Sequence, residues 1–165
     1  MKNIFKRRKQ GKTNYSKRKI LLRSESPRIV FRRTNRYIIA QYVTTKEAKD
    51  KIEIGITSKS LEKYGWPKES EGSLRSLTAA YLTGFLIGKK IIKEKKKAPV
   101  FDLGMVSSAS KTRPYAFLKG LIDSGVKMSH KDSGIFPDEE RIKGKHLKKD
   151  FSNLFEKIKS SIEKE

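Results

Sequence analysis

The stretch Arg28-Ile-Val-Phe-Arg-Arg-Thr-Asn-Arg-Tyr-Ile-Ile-Ala-Gln-Tyr-Val43 decides the fold. Its β-branched and aromatic residues form two runs around Thr34-Asn35, the pattern of a hairpin. A tight turn at those two residues sets Arg33 opposite Arg36, and the register sorts the remaining side chains onto two faces. Ile29, Phe31, Ile38 and Ala40 share one face, with Arg33 and Arg36 at its turn end. Arg28, Val30, Arg32, Tyr37, Ile39 and Gln41 share the other. The first face suits a core. The second is a basic, partly aromatic surface suited to RNA.

Beyond the hairpin, Lys51 to Thr57 alternates cleanly, with Ile52, Ile54 and Ile56 on one side, and reads as a third strand. Ser58 to Tyr64 reads as a short helix stopped by Gly65-Trp66-Pro67. The strongest helical pattern runs from about Ser73 to Ile92, where Leu74, Leu77, Tyr81, Phe85 and Ile92 recur at helical spacing. Within it, Gly84-Phe-Leu-Ile-Gly88 has the glycine spacing that lets a neighbouring element approach closely. Lys93 to Lys97 is a polar loop, Pro99 to Gly104 a short buried strand, and Thr112 to Ser124 a helix that Gly125 ends. Towards the C-terminus, Asp138-Glu-Glu places acids where a helix N-terminus favours them. Leu147, Phe151, Leu154, Phe155, Ile158 and Ile162 then make an amphipathic stripe that should dock on the body or on a partner protein.

These elements predict a single compact α/β (or α+β) domain, with a small, mainly antiparallel sheet packed by helices. The expected divisions are a basic N-terminal arm with a short helix (1–26), an α/β RNA-binding body (27–130) and a C-terminal extension with an amphipathic helix (131–165). Thr13 is expected to cap the arm's helix, which runs to about Arg23 and stops before Pro27; residues 1–12 are too polar to order in isolation.

Charge narrows the function. Forty Lys and Arg against eighteen Asp and Glu give the 165 residues a net charge of +22. Folding gains nothing from such self-repulsion, so a polyanionic partner is implied: nucleic acid first, an anionic membrane second. The charge is concentrated, since Glu25 is the only acid among residues 1–36. A solvated charge run normally mixes signs, and this one does not. The candidate RNA-binding residues are therefore Lys6, Arg7, Arg8, Lys9, Lys12, Lys17, Arg18 and Arg23 of the arm, and Arg28, Arg32, Arg33 and Gln41 of the sheet. Tyr15, Tyr37 and Asn35 are placed to stack on bases or hydrogen-bond to them.

Other chemistries find little support. Cysteine is absent, so no disulfide or thiolate metal site can form. His130 and His146 lie far apart, with no neighbours completing a metal pattern. No apolar run approaches the roughly 20 residues of a membrane helix, and the first ten residues lack the hydrophobic stretch of a secretory signal. The expectation is a cytoplasmic protein with no cofactor, no membrane attachment and no small-molecule substrate. Asp102, with Asp50, Glu53 and Asp123, is the one acidic set worth weighing as a Mg²⁺ site for a nucleic-acid-processing enzyme. Asp102 and Asp123 read better as turn and cap residues. A third alternative is a nonspecific DNA-compacting protein.

Several segments resemble the ribosomal protein L-eighteen family, archaeal and eukaryotic branch. They are Lys12-Thr-Asn-Tyr-Ser-Lys-Arg18 with Leu21-Leu22, Pro27 to Asn35 with Ile38-Ile-Ala-Gln41, Tyr64-Gly-Trp66 and Ala79-Ala-Tyr-Leu-Thr-Gly84. Further on come Asp102-Leu-Gly104, Leu118-Lys-Gly120 with Asp123-Ser-Gly125, and Ile135-Phe-Pro137 with Glu140-Arg-Ile-Lys-Gly144. The order is the family's. Two positions depart: Ser76 stands where many relatives have Asn, and a Gly-Asp pair is half present at Lys49-Asp50. The resemblance implies a non-enzymatic constituent of the large ribosomal subunit. Its expected partners are 5S rRNA, the large-subunit rRNA and neighbouring ribosomal proteins of the central protuberance. It also implies RNA contacts along Lys6 to Lys19 and Arg28 to Gln41.

Overall fold

In the structure, a computed structural model, residues 5–67, 74–106, 109–130, 134–145 and 151–164 are described. The hairpin forms from β1 (Arg28–Arg33) and β2 (Ile38–Lys46), but with a longer turn than expected, so that Arg33 faces Ile38 and not Arg36. Thr34 closes that turn: its backbone N–H donates to the Tyr37 carbonyl at 2.8 Å and its hydroxyl accepts from the Tyr37 N–H at 2.9 Å. The register slips by two residues, and an even slip preserves the faces. Ile29, Phe31, Ile38, Ala40 and Tyr42 are accordingly all buried on one side. Arg36 and Tyr37 lie in the turn, which corrects their assignment to a strand.

β3 (Lys49–Thr57) pairs with β2, and β4 (Val100–Asp102) adds to β1 in parallel, giving the order β3-β2-β1-β4. The sheet is therefore antiparallel except at one edge. A bulge between Tyr42 and Val43 sets Ile54 against Tyr42 but Ile52 against Val43. Ile52 thus turns away from the core to 53% exposure, contrary to the three-isoleucine face expected.

Seven residues from Ser58 to Tyr64 wind as a 3₁₀-helix and end at Gly65, whose φ of 97° suits glycine alone. The long helix α3 (Leu77–Lys93) begins at Ser76, not Ser73, and the Ser76 hydroxyl accepts the Ala79 N–H at 3.2 Å. Its inner stripe ends on buried Ile91, whereas Ile92 is 44% exposed. Against it lies α4 (Arg113–Asp123), following the first-turn cap position at Thr112. The glycine pair does serve packing: a Cβ on Gly84 would sit 2.2 Å from the Phe117 carbonyl oxygen, and one on Gly88 would sit 2.0 Å from the Ser124 hydroxyl. Gly120 returns the favour against the Tyr81 carbonyl. Phe117 reaches the sheet, with its ring 5.2 Å from that of Phe31. At the far end Gly125, at φ 101°, closes α4 as expected.

Near the C-terminus come the short α5 (Glu139–Lys143) and α6 (Ser152–Glu163). Phe155, Ile158 and Ile162 bury against α3, and the ring of Phe151 meets that of Trp66 at 4.9 Å. Docking on the body is thus the fate of the stripe, except that Leu154 is 37% exposed and Leu147 lies outside the described residues. Among the described residues, no helix is long and apolar enough to cross a membrane.

Candidate RNA-binding interface

The arm folds back on itself. Lys6–Lys9 forms α1, a single turn with every side chain exposed, and α2 spans Tyr15–Arg23. Asn14, not Thr13, caps α2 by accepting the Lys17 N–H at 3.1 Å. Thr13 instead accepts from Arg7 Nε at 2.9 Å, and the Phe5 ring lies 4.9 Å from that of Tyr15. These contacts join the two helices, so the described part of the arm has a shape of its own.

A chain of charges then fixes α2 to the sheet. Arg18 meets Asp50 at 3.0 Å, and Asp50 meets Arg28 at 2.8 Å. Arg28 reaches on to Asp102 at 3.1 Å, and Asp102 faces Arg32 at 3.5 Å. Thr45 donates to Asp50 and accepts from Arg28, binding the hairpin into the same chain. Burial pushes the Asp50 carboxyl up, but hydrogen bonds from Arg18 and Thr45 and the charge of Arg28 outweigh it and hold the carboxyl below its ordinary 3.8. Asp102 is anchored from a third side, where its Oδ1 accepts the Gly104 N–H at 2.8 Å. Gly104 has a φ of 59°, and a Cβ there would lie 2.8 Å from the Arg32 guanidinium. The absence of a side chain is what lets Arg32 lie flat across this corner and donate to the Asp102 carbonyl at 3.2 Å.

Arg28 is the main revision. It was expected on an exposed basic face, yet its side chain is 3% exposed and both ends of its guanidinium are occupied by carboxylates. A guanidinium so placed holds its neighbours in position. Arg32 is 42% exposed, however, and together with Arg7, Lys12, Lys17 and Arg18 it lines a cleft between the arm and the β4 edge. Lys6, Arg8, Lys9 and Arg23 are exposed elsewhere on the arm, and Gln41 is half-buried on the same sheet face as Arg32. Asn35 is exposed at the turn, and Tyr37 packs partly against the core. Arg33 points to the other face, as the register requires. Among the described residues, Lys6, Arg8, Lys9, Lys12 and Lys17 make no ion pair, so the arm presents an uncompensated cationic surface.

The acids weighed as a metal set do not converge. Asp123 accepts from the Tyr81 hydroxyl at 2.7 Å and Glu53 pairs with Lys96 at 2.8 Å, each on its own part of the fold. Asp50 and Asp102 do come near one another, but as the two ends of Arg28. His130 makes a contact with the Met128 carbonyl at 2.9 Å, and His146 lies outside the described residues. Reading the sequence alone missed the organising role of Asp50 and Asp102. The available signal was their rarity: in a chain so short of acids, a carboxylate at a strand end is a candidate partner for one of many arginines.

Comparison with known proteins agrees with this geometry. Residues 1–101 match the family model described as ribosomal large subunit proteins 60S L5 and 50S L18. The chain is 45% identical over 143 residues to the large ribosomal subunit protein uL18 of Korarchaeum cryptofilum, covering 87% of this chain and 71% of that one. To uL18 of Methanococcoides burtonii it is 40% identical, covering 98% of this chain and 93% of that one. These relatives are named as ribosomal constituents and not as enzymes. An uncompensated basic arm held on a small α/β body, in a chain alike to uL18 over most of its length, therefore belongs to the family of large-subunit ribosomal proteins 60S L5 and 50S L18.

Proposed function

We propose that the chain binds 5S rRNA and helps attach it to the large-subunit rRNA and neighbouring proteins of the central protuberance. The observation that carries this reading is the arm. Lys6, Arg8, Lys9, Lys12 and Lys17 stand exposed and, among the described residues, without an ion pair, on an arm whose second helix is fixed to the body through Arg18 and Asp50. Cations preplaced in this way neutralise phosphates with less loss of chain entropy than a free tail would suffer.

In this reading Lys6, Arg7, Arg8, Lys9, Lys12, Lys17, Arg18 and Arg23 set the register on phosphates, and Arg32 and Gln41 extend the surface across the sheet. Tyr15, Asn35 and Tyr37 meet bases by stacking or hydrogen bonding. Arg28 acts through Asp50 and Asp102, holding α2 and Arg32 in place. Specificity comes from RNA shape more than from a base code, because few of these groups could read a base edge.

The test is selection from a mixture. RNA extracted from archaeal ribosomes is mixed with a tRNA pool, passed over the immobilised chain at moderate salt, and the retained species are identified. Enrichment of 5S rRNA is the expected result. Retention of all species in proportion to their length would refute the proposal and leave a nonspecific polycation.

A further inference from the structure

We infer that Arg33, Arg75, Arg113 and Arg141 form a second site for an RNA phosphate backbone, on the side of the sheet opposite the arm. The inference rests on reading the chain as an RNA-binding ribosomal protein, and assigns to it a surface that the arm does not use.

The topology brings Arg33, Arg75 and Arg113 together, and Arg141 of α5 stands close enough for its charge to act on Arg113. β3 and β1 are each antiparallel to β2, and β4 is parallel to β1, so β1, β3 and β4 all run one way. α3 connects the end of β3 to the start of β4, and α4 begins after β4 ends. The starts of both helices therefore lie at the edge of the sheet where β1 ends on Arg33. Arg75 stands just before the Ser76 cap of α3, and Arg113 is the first residue of α4. Arg33 projects on the helix-covered face, with Phe31, whereas Arg28 and Arg32 project on the other. The two basic regions are thus separated by the sheet itself.

Three observations show that this cluster is arranged for an external anion. First, burial, followed by the charges of Arg33, Arg75 and Arg141, pushes the Arg113 guanidinium below its ordinary value. The charged groups acting on it are all arginines. Second, the Arg113 Nε is buried and has no hydrogen-bond partner. Third, among the described residues the acids beside Arg141 in sequence engage other partners: Asp138 pairs with Lys111 at 3.1 Å, Glu140 with Lys145 at 3.2 Å, and Glu139 acts on Tyr81. Among the described residues none of the four arginines makes an ion pair, in contrast to Arg18, Arg28 and Arg32.

Helix physics sharpens the point. A cation at a helix N-terminus opposes the dipole, and Arg75 and Arg113 each occupy that unfavourable end. Stability of the free chain would favour carboxylates at both places. Guanidiniums there make sense when phosphates lie across them, accepting from several forks at once and facing two helix starts. Four forks along one edge suit consecutive phosphates of a backbone better than one small anion.

The test uses the full chain saturated with 5S rRNA, and as probe a labelled A-form RNA duplex of mixed sequence. The complex should capture the duplex. The double variant Arg75→Gln/Arg141→Gln changes two exposed side chains and should keep the fold, checked by circular dichroism. It should capture the duplex about tenfold or more weakly, as expected for two lost charge-assisted contacts, with its affinity for 5S rRNA unchanged. Inorganic phosphate at the duplex's own phosphate concentration should not displace the duplex. Equal capture by variant and parent would overturn the inference, and so would displacement by phosphate. A loss of 5S rRNA affinity as large as the loss of duplex capture would also overturn it, because the cluster would then belong to one continuous footprint. Failure of the parent to bind 5S rRNA would sink the proposed function instead, and the duplex alone, compared between parent and variant, would still decide the cluster.

Discussion

Replacing Asp102 by Asn should lower the stability of the free chain by about 2–3 kcal/mol. Removing one partner of a buried ion pair costs about 3–5 kcal/mol, because the remaining charge stays buried without compensation. Arg28 is 3% exposed and the Asp102 side chain 9%, so the pair falls in that class. Two features soften the loss. Arg28 keeps Asp50 at 2.8 Å, and an asparagine oxygen can still accept the Gly104 N–H. With a urea m-value of roughly 1–3 kcal/mol/M for a domain of this size, the unfolding midpoint should fall by about 0.7–3 M, followed by circular dichroism. A double variant, Arg28→Met with Asp102→Asn, adds a control. It removes the stranded charge as well as its partner, so it should be more stable than the sum of the two single losses predicts. A loss below about 0.5 kcal/mol for Asp102→Asn, or strict additivity in the double variant, would refute the reasoning that Arg28 is an interior, carboxylate-dependent residue.

Acid should undock the arm. Asp50 titrates below its ordinary 3.8 in the folded chain, so its contribution is fully present above that value and is lost as pH falls through the lower folded one. Protection of the α2 amides, taken relative to the intrinsic exchange rate at each pH, should therefore fall on acidification, and Asp50→Asn should show the lowered protection already at neutral pH; unaltered protection in that variant would contradict the link through Arg18. Gly84→Ala should destabilise by about 3 kcal/mol, the upper end for overpacking, because its Cβ meets a backbone oxygen that can move only with α4. Gly55→Ala, whose Cβ would meet only a flexible Ile52 methyl at 3.7 Å, should cost far less, and thermal unfolding of the two variants side by side checks the contrast.

The parts of the fold legible in the sequence are those governed by local periodicity. The two hairpin faces survived a wrong turn length, since a slip from Arg36 to Ile38 opposite Arg33 changes register by an even number. Ile52 did not survive, because one bulge reverses parity and leaves no mark in an Ile-x-Ile-x-Ile pattern. The glycines at 84 and 88 announced a close approach, but not that Phe117 and Ser124 are what approaches.

The site was legible as charge and not as geometry. The run of cations before Arg36 located the basic arm, yet Arg28 looked the same as Arg32 in a strand pattern. What separates them is two carboxylates distant in sequence, at Asp50 and Asp102, which alternation within a strand cannot reveal. Asn14 and Thr13 are both good caps, and the choice between them turned on Arg7 engaging Thr13. Arg75, Arg113 and Arg141 are far apart in sequence, and only the tertiary fold brings their charges to bear on one another.

The exposed cations of the arm are proposed to bind 5S rRNA through its phosphates. The most direct measurement compares the parent chain with a variant carrying Gln at Lys6, Arg8, Lys9 and Lys12, titrating 5S rRNA at several salt concentrations in the presence of excess tRNA. Each lost phosphate contact should flatten the slope of log affinity against log salt by about 0.7–0.9. Tight, tRNA-resistant binding by the parent and a slope shallower by roughly 2–4 in the variant are the expected results. An identical slope and affinity in the two chains would contradict the proposal, and would mean that 5S rRNA is held by some other surface or not held at all.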